Sequence, residues 1–502
     1  MMSRNVNRLH PITIMISFFA SLKSIVIPGI IILLGRGFHY SLNPSSKQFI
    51  DTLIVIVIIL FVLCMILIIS YINWKRFVYW FEDEELRIEY GLFVKKKRYI
   101  PFERIQSLNY KEGVFHRPLK LVKVSIETAA DSGGKSEADL TAITRVQADT
   151  IEKEMKKAKK KLSEVEQNER VDFYNSPNHQ SVRTIIHRMS KKDLILLATT
   201  SSGIGVVFSG LAAIMSQFDD WIRYDELYGQ LQSFVKLGTI IVIIAVLIFL
   251  LISWFVSVVI TFLSYYEFVV EKEEDKLFIS KGLLEKKRIT IPMKRIQGVR
   301  IVENPFRQLF GYSTIVIESA GSSGEKGERK IVLLPLVKKQ LAFKILEKLF
   351  PETQWDLPLE HAPKRAKRRY LLTYLYWLTP ITLSISYFAF PYGLWVLIIL
   401  PLALILGAWQ YKSAGYAANE QQLTVVYRGI SKITFVTFKQ RIQAISLSQS
   451  YLAKRKSLGS MTVHIMSGSS GSVASIKHFD QENLEGIFEW YQPNTHSLQN
   501  KK

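Results

Sequence analysis

The chain has 502 residues, of which 48% are apolar, and a formal net charge of +22. The apolar content exceeds that of ordinary soluble domains and predicts membrane-spanning segments, while the positive charge requires an anionic partner or surface. A single cysteine, Cys64, excludes a disulfide framework and a cysteine-rich metal site.

Apolar segments alternate with polar regions and predict six transmembrane helices in three pairs. Lys23 interrupts the first segment, so we expect either an interfacial start over about 10–22 with the lysine snorkelling to the headgroups, or a buried functional lysine. Basic clusters flank the spans on one side, and the connecting loop 217–234 is acidic. The positive-inside rule then places both termini and the three soluble regions in the cytoplasm of a multi-pass cell-membrane protein.

The three soluble regions share a series of landmarks. Each contains Arg-Ile-Gln, at 104–106, 295–297 and 441–443, with a glycine twelve or thirteen residues upstream, a basic run between them, and a strand followed by a small polar turn downstream. Agreement at several landmarks predicts one supersecondary unit used three times. The signature residues are Gly91, Arg104, Gln106, Gly282, Arg295, Gln297, Gly429, Arg441 and Gln443.

These landmarks predict the domain boundaries. Each soluble unit has about 80 residues of short antiparallel strands and one C-terminal helix, which predicts a bent sheet or partly open barrel capped by that helix, in an α+β membrane protein. The predicted segments are membrane pair 1–76, unit 77–170 with a basic helical extension, linker 171–192, membrane pair 193–264, unit 265–352, basic linker 353–369, membrane pair 370–412, unit 413–492 and tail 493–502.

The second unit carries the fullest pattern: Gly282, the basic strand 285–291, Pro292, the Arg-Ile-Gln motif, the segment 306–311 and the strand 314–319. This order resembles the bacterial pleckstrin-homology-like domain of the bPH2 type, and three such units, each after two spans, resemble the YdbT-like family of bacterial membrane proteins. The resemblance implies three cytoplasmic PH-like β-barrels, a general association with the bacterial envelope, and a protein partner such as a shorter single-unit relative. It implies neither an enzymatic activity nor a cofactor.

Two basic strands are candidate contacts for anionic lipid headgroups or for a partner. They comprise Lys95, Lys96, Lys97 and Arg98 in the first unit and Lys286, Lys287 and Arg288 in the second. Each cation near an anionic surface contributes about 1 kcal/mol, although lysines also protect a solvated edge strand from aggregation. The motif arginines have the chemistry to bind an anion, but we interpret the signature as structural, satisfying backbone groups where the sheet turns.

Other sites are not expected. Residues 129–136 fit a loose phosphate-loop pattern, but the following segment predicts the returning strand of a hairpin rather than a helix. The histidines lack metal-ligand spacing, no catalytic arrangement is evident, and membrane topology accounts for the basic clusters without nucleic acid. We therefore predict a non-enzymatic binding or scaffold protein for envelope maintenance or resistance to membrane-active agents. The alternative is a transporter or exporter component whose six helices form a pathway regulated by the PH-like domains.

Overall fold

Three units with the same order of strands make up the part of the chain that a computed structural model describes. That part comprises residues 6–35, 49–128, 137–168, 183–201, 239–320, 331–388, 390, 392–467 and 471–492. In each unit four antiparallel strands are followed by three more, and a helix comes after the seventh strand.

The first unit is built around strands whose alternate side chains are buried, among them Leu86 and Ile88. Its helix, Arg145–Asn168, places Ile151 in the same core. The strands are β1 Asn7–Arg8, β2 Val78–Glu82, β3 Glu85–Tyr90, β4 Lys96–Pro101, β5 Ile105–Glu112, β6 Leu121–Thr128 and β7 Ala138–Thr144.

The second unit repeats this order and closes with the helix Lys339–Leu349, whose Leu346 is fully buried against the sheets. Its strands are β8 Thr184–Arg188, β9 Val269–Glu273, β10 Lys276–Lys281, β11 Lys286–Pro292, β12 Ile296–Glu303, β13 Tyr312–Ser319 and β14 Ile331–Lys338.

The third unit closes with the helix Gln481–Tyr491, whose Leu484 is buried in the core. Its strands are β15 Glu360–His361, β16 Gly415–Ala418, β17 Gln422–Arg428, β18 Lys432–Phe438, β19 Ile442–Ser448, β20 Leu458–Ile465 and β21 Ser472–Asp480.

Apolar helices are inserted between the first and second strand of every unit. Three helices among the described residues are long and apolar enough to cross a membrane: Thr52–Arg76, Leu247–Tyr265 and Gly393–Ser413. The α-helices of these insertions, which include the three apolar segments, are Ile12–Gly35, Phe49–Arg76, Lys191–Thr199, Thr239–Tyr265, Lys367–Leu372, Leu375–Phe388 and Ile399–Ser413. Six paired spans stay a prediction, because most of the third predicted span lies outside the described residues.

Because the membrane helices are inserted within each unit, two of the domain boundaries predicted from the sequence differ from those in the structure. Segments 171–192 and 353–369 were predicted as linkers, yet they contain β8 and β15. Each of these short strands pairs with the strand that follows the membrane helices, β8 with β9 and β15 with β16. The first helix also runs without interruption over Ile12–Gly35, so the predicted interfacial start and the segment after Lys23 form one helix.

Neighbouring units share their sheets, which the sequence did not predict. Strand β5 of the first unit pairs antiparallel with β11 of the second, and β12 of the second pairs with β18 of the third. The structure therefore contains two seven-stranded sheets, ordered β7-β6-β5-β11-β10-β9-β8 and β14-β13-β12-β18-β17-β16-β15, flanked by the four strands β1–β4 and the three strands β19–β21.

Polar side chains reinforce the first junction. Thr290 donates its backbone N–H to Asn109 Oδ1 at 2.9 Å and its hydroxyl to the Leu108 carbonyl at 3.0 Å. The buried carboxylate of Glu127 accepts a hydrogen bond from Ser107 Oγ at 2.6 Å and one from Arg295 Nη1 at 3.4 Å. A buried charge is stable only when paired, so this carboxylate ties the second unit to the first.

The second junction uses a glutamate at the corresponding place. Glu318 is fully buried and accepts hydrogen bonds from Arg300, from Ser467 Oγ at 2.6 Å and from Ser472 Oγ at 3.1 Å. Both serines belong to the third unit, and the hydroxyl of Tyr427 contacts the same arginine. The two junctions thus share a buried carboxylate, with different donors around it.

Candidate membrane-facing site

The turn before the fourth strand of each unit lies against the end of a membrane helix. In the second unit, Leu283 donates its backbone N–H to the Leu263 carbonyl at 2.8 Å. In the first, the Arg76 guanidinium donates to the Leu92 carbonyl. In the third, Gln410 Nε2 lies 3.3 Å from a backbone carbonyl of the equivalent turn. We call these three turns, 91–95, 282–286 and 429–432, the hairpin tips.

Each hairpin tip exposes a large apolar side chain. Phe93 is 94% exposed, Leu284 52% and Ile430 71%, and each stands eleven residues before the motif arginine of its unit. Apolar side chains exposed in a row beside membrane helices are suited to the boundary between headgroups and acyl chains.

Glycine is required at two of the three tips. Gly91 has φ +123° and Gly282 has φ +108°, and a Cβ atom at either would lie 2.0 Å from a carbonyl oxygen, that of Val94 or of Glu285. Gly429 has no neighbour within 4 Å of an added Cβ and no positive φ. The glycine landmark therefore reflects turn geometry in the first two units only.

The basic strand of the first unit is open to solvent on its cationic side. Lys95 and Lys97 reach Glu89 at 2.6 and 3.2 Å, and the hydrogen bond from Lys95 is the main reason that the pKa of Glu89 is lowered. Arg98 lies over the Tyr90 ring at 5.7 Å. Lys96 is exposed as well, so the four predicted contact residues lie together at the end of the first hairpin tip and in the strand that follows it.

The structure divides the corresponding cluster of the second unit. Lys286 and Arg288 line a cavity, whereas Lys287, between them on the strand, reaches Glu285 at 3.3 Å. Arg288 stacks on the Phe278 ring at 4.9 Å, and its Nε and Nη2 atoms are buried without a hydrogen-bond partner in the described part of the chain.

The cavity, of about 710 Å³, lies between the first two units beside the end of the helix Thr239–Tyr265. Its lining is mixed in charge, and several cations are neutralised locally, as Arg145 is by Glu112 at 2.8 Å. Arg188, Lys191 and Arg288 form no ion pair within the described ranges. These three cations give the cavity its capacity for an anionic group.

Sequence reasoning missed two of the cavity cations. Arg188 and Lys191 belong to a basic segment just before the second predicted pair of membrane helices. The positive-inside rule was sufficient to explain the charge of that segment. Their position just before an apolar segment was the available signal, but the opposite wall of the cavity comes from residues such as Tyr110, far away in sequence. Only the shared sheet brings these walls together.

The Arg-Ile-Gln residues do not form one site. Arg295 lies in the first junction, donating also to the Thr128 carbonyl at 3.2 Å, and Gln297 Nε2 donates to the Arg295 carbonyl at 3.0 Å. Arg104 is exposed and Arg441 half-buried in their own units. The side chains of Gln106 and Gln443 likewise belong to separate units, at β5 and β19.

The returning strand predicted after residues 129–136 is present. Strand β7 pairs antiparallel with β6, while the loop itself lies outside the described residues. A helix at this position, which a phosphate-cradling loop must open, is therefore not formed. Among the described residues, no group of three or more histidine, cysteine, aspartate or glutamate side chains could hold a metal ion.

A family model described as the bacterial PH domain matches the chain three times, at residues 22–159, 228–353 and 372–495. The chain belongs to this family. It is also 33% identical to the UPF0699 transmembrane protein YdbT of Bacillus subtilis (strain 168), over 96% of this chain and 97% of that protein. No solved structure gives a significant match. The predicted resemblance is thus confirmed, and the protein is a membrane protein with three bacterial PH domains.

Proposed function

We propose that the protein is a non-enzymatic scaffold that holds its row of PH units against an anionic membrane face. The observation that carries this proposal is the contact of all three hairpin tips with the ends of apolar helices, with an exposed apolar side chain at each tip. Cytoplasmic orientation, a cell-membrane location and a role in envelope maintenance or resistance to membrane-active agents are parts of the same proposal.

The cavity between the first two units supplies a binding site for one lipid headgroup. Its unpaired cations suit a phosphate, because a guanidinium donates several hydrogen bonds in a fixed plane. Arg288 has buried donors that need an acceptor, and an anionic headgroup entering from the adjacent bilayer would provide it. The tyrosines at the end of the membrane helix, Tyr265 and Tyr266, line the same opening, where aromatic residues are typical of the membrane interface.

Thermal unfolding of the full chain in detergent tests this site. Soluble dihexanoyl phosphatidylglycerol should raise the apparent Tm, by the equivalent of about 2.7 kcal/mol at a hundredfold excess over Kd, and dihexanoyl phosphatidylcholine should not. The variant Lys191→Gln with Arg288→Gln should lose the shift. Lys294→Gln, an exposed cation outside the cavity lining, should keep it. Equal shifts with both lipids, or a full shift in the double variant, would contradict the site.

The transporter alternative stays a prediction. Its test is substrate flux across proteoliposomes containing the full chain.

A further inference from the structure

The two junctions inside the chain use one register. At the first, Lys286 of β11 lies opposite Glu112 of β5, and at the second, Lys432 of β18 lies opposite Glu303 of β12. In every case the lysine stands nine residues before the motif arginine of its unit and the glutamate eight residues after it. One unit therefore docks on the next in the same alignment twice.

Both junctions pair the fourth strand of one unit with the fifth strand of the unit before it. The fourth strand of the first unit and the fifth strand of the third unit therefore remain without such a neighbour among the described strands. Among the described strands, β4 is hydrogen-bonded to β3 alone and β19 to β20 alone. Tyr99 of β4 is 51% exposed, whereas Thr290 and Val436, at the same position in the two paired strands, are 9% and 5% exposed. Strand β4 thus offers the backbone groups that its counterparts use for pairing, which is the basis of strand addition.

Basic side chains do not exclude pairing at this edge. Lysines on an edge strand commonly prevent association, and β4 carries Lys-Lys-Arg at 96–98. Strand β11, however, is paired with β5 although it carries Lys-Lys-Arg at 286–288, the positions of Lys95–Lys97 relative to the motif arginine. A run of cations at this place is therefore compatible with a neighbour of suitable chemistry.

The first junction shows what that chemistry is. Arg295 of the docking unit reaches the buried carboxylate of Glu127 in the unit before it. Glu318 occupies the place of Glu127 in the second unit and accepts from Ser467 of the third. Arg104 holds the place of Arg295 in the first unit, is exposed, and forms no ion pair with any described residue. A unit docking on β4 should thus present a carboxylate to Arg104.

The third unit of this chain does not meet this requirement. The register of β19 with β20 puts His464 where the other units have Glu127 and Glu318. Gln449 stands eight residues after Arg441, where the other units have Glu112 and Glu303. A second copy of this chain docking through β19 would therefore lack both acidic groups.

We propose that β4 binds, by antiparallel strand addition, a PH-like unit on a different polypeptide with carboxylates at the positions of Glu112 and Glu127. In the shared register Tyr99 lies opposite the partner residue aligned with Leu108 and Val299, because Val436 lies opposite Val299. This edge is not part of the cavity, so the inference is independent of the proposed headgroup site and fails separately from it.

Photo-crosslinking of the full chain in its native membranes tests the partner. With the photoreactive residue p-benzoylphenylalanine in place of Tyr99, we expect a crosslink to a PH-like unit of another polypeptide, close to the residue aligned with Leu108. The same residue in place of Val146, which is 76% exposed at the start of a helix, should not give that product. A crosslink to β19 of a second copy, a product without a PH-like unit, or no protein product overturns the proposal.

Charge variants test the two carboxylates. Arg104→Glu should reduce the crosslink about tenfold or more, since two carboxylates would then face each other at a desolvated position, and Arg104→Lys should retain most of it. His464→Glu with Gln449→Glu gives this chain's own β19 edge the missing acids and should convert a monomer in detergent into a self-associating species, measured by mass photometry. Association of the unaltered chain, or a double variant that stays monomeric, contradicts the assignment.

Discussion

Two glutamates, Glu127 and Glu318, determine how the units are joined. Both lie in the strand before the small polar turn, and each is buried in contact with a neighbouring unit. Aligning the three units would have identified the shared position. It would not have identified the partners, because Arg300 belongs to another strand and Ser467 to another unit. Burial of a charge depends on packing between segments distant in sequence.

Replacing Glu318 should destabilise the second junction strongly. Glu318→Gln leaves the buried guanidinium of Arg300 without a counter-charge, and breaking a buried pair in this way costs about 3–5 kcal/mol. We expect a marked fall in the apparent Tm of the full chain in detergent. Glu420→Gln, at an exposed carboxylate in the turn before β17, is the matched control and should leave the Tm unchanged. Equal behaviour of the two variants would show that the carboxylate is dispensable.

His478 makes the third unit sensitive to acid. Burial, together with the charges of Arg369 and Lys477, lowers the pKa of this imidazole to about 4. An unfolded histidine binds its proton near pH 6.5, so stability is lost as the pH falls from about 6.5 to about 4, by up to about 3 kcal/mol, and levels off below. His478→Asn, which tolerates the positive φ at this position, should flatten that part of the Tm profile. An unchanged slope would refute the assignment.

At the scale of elements, the strands and the closing helices were predictable because their patterns are local. The basic strand predicted at 285–291 is β11, Lys286–Pro292, the strand predicted at 314–319 lies within β13, Tyr312–Ser319, and each unit ends in the predicted C-terminal helix. The short strands β8 and β15 were not predictable, because β8 has five residues and β15 has two. Segments this short, beside basic residues, show no recognisable alternation of apolar and polar side chains. Edge pairing between units was also missed, because the alternation of a strand does not specify its neighbour.

The hairpin tips provide a matched pair of glycine variants. Gly282→Ala should lower stability by about 1–3 kcal/mol, because alanine is strained at φ +108° and its Cβ would meet the Glu285 carbonyl. Gly429→Ala occupies open space and should change stability by no more than about 0.5 kcal/mol. Apparent Tm values of the two full-length variants measure the contrast, and an equal loss in both would contradict the turn geometry.

A spin label can locate the tips relative to lipid. After Cys64→Ser, a label at Leu284→Cys in reconstituted bilayers should be accessible to oxygen and protected from a water-soluble nickel complex. A label at Val146→Cys should show the opposite pattern. A Leu284 label as accessible to nickel as the Val146 label would place the second tip in water and remove the main support for the membrane-facing orientation.

At the scale of the whole molecule, shared sheets make the units interdependent. Strand β12 contributes to the core of the second unit and also pairs along β18 of the third. Loss of β12 would therefore remove a paired strand from β13 in the second unit and from β18 in the third. The three-unit organisation was predictable from the repeated landmarks, but the continuity between units was not.

Hydrogen exchange should reveal this interdependence. Amides of β13 in the second unit and β17 in the third should become exchangeable in one cooperative step as denaturant is added to the full chain, because both strands flank the junction β12–β18. The amides of β4 should exchange much earlier in the isolated protein. Separate exchange of β13 and β17 would indicate units that unfold independently.

The direct passage from membrane helices into sheets has a mechanical consequence. The helix ending at Arg76 is followed by β2 at Val78, that ending at Tyr265 by β9 at Val269, and that ending at Ser413 by β16 at Gly415. Few residues separate each helix from its unit, and neighbouring units are joined by the strand pairs β5–β11 and β12–β18, so the three helices are mechanically coupled through the PH units. A tilt imposed on one helix by a local change in bilayer thickness or curvature would therefore be transmitted as torque to the other two.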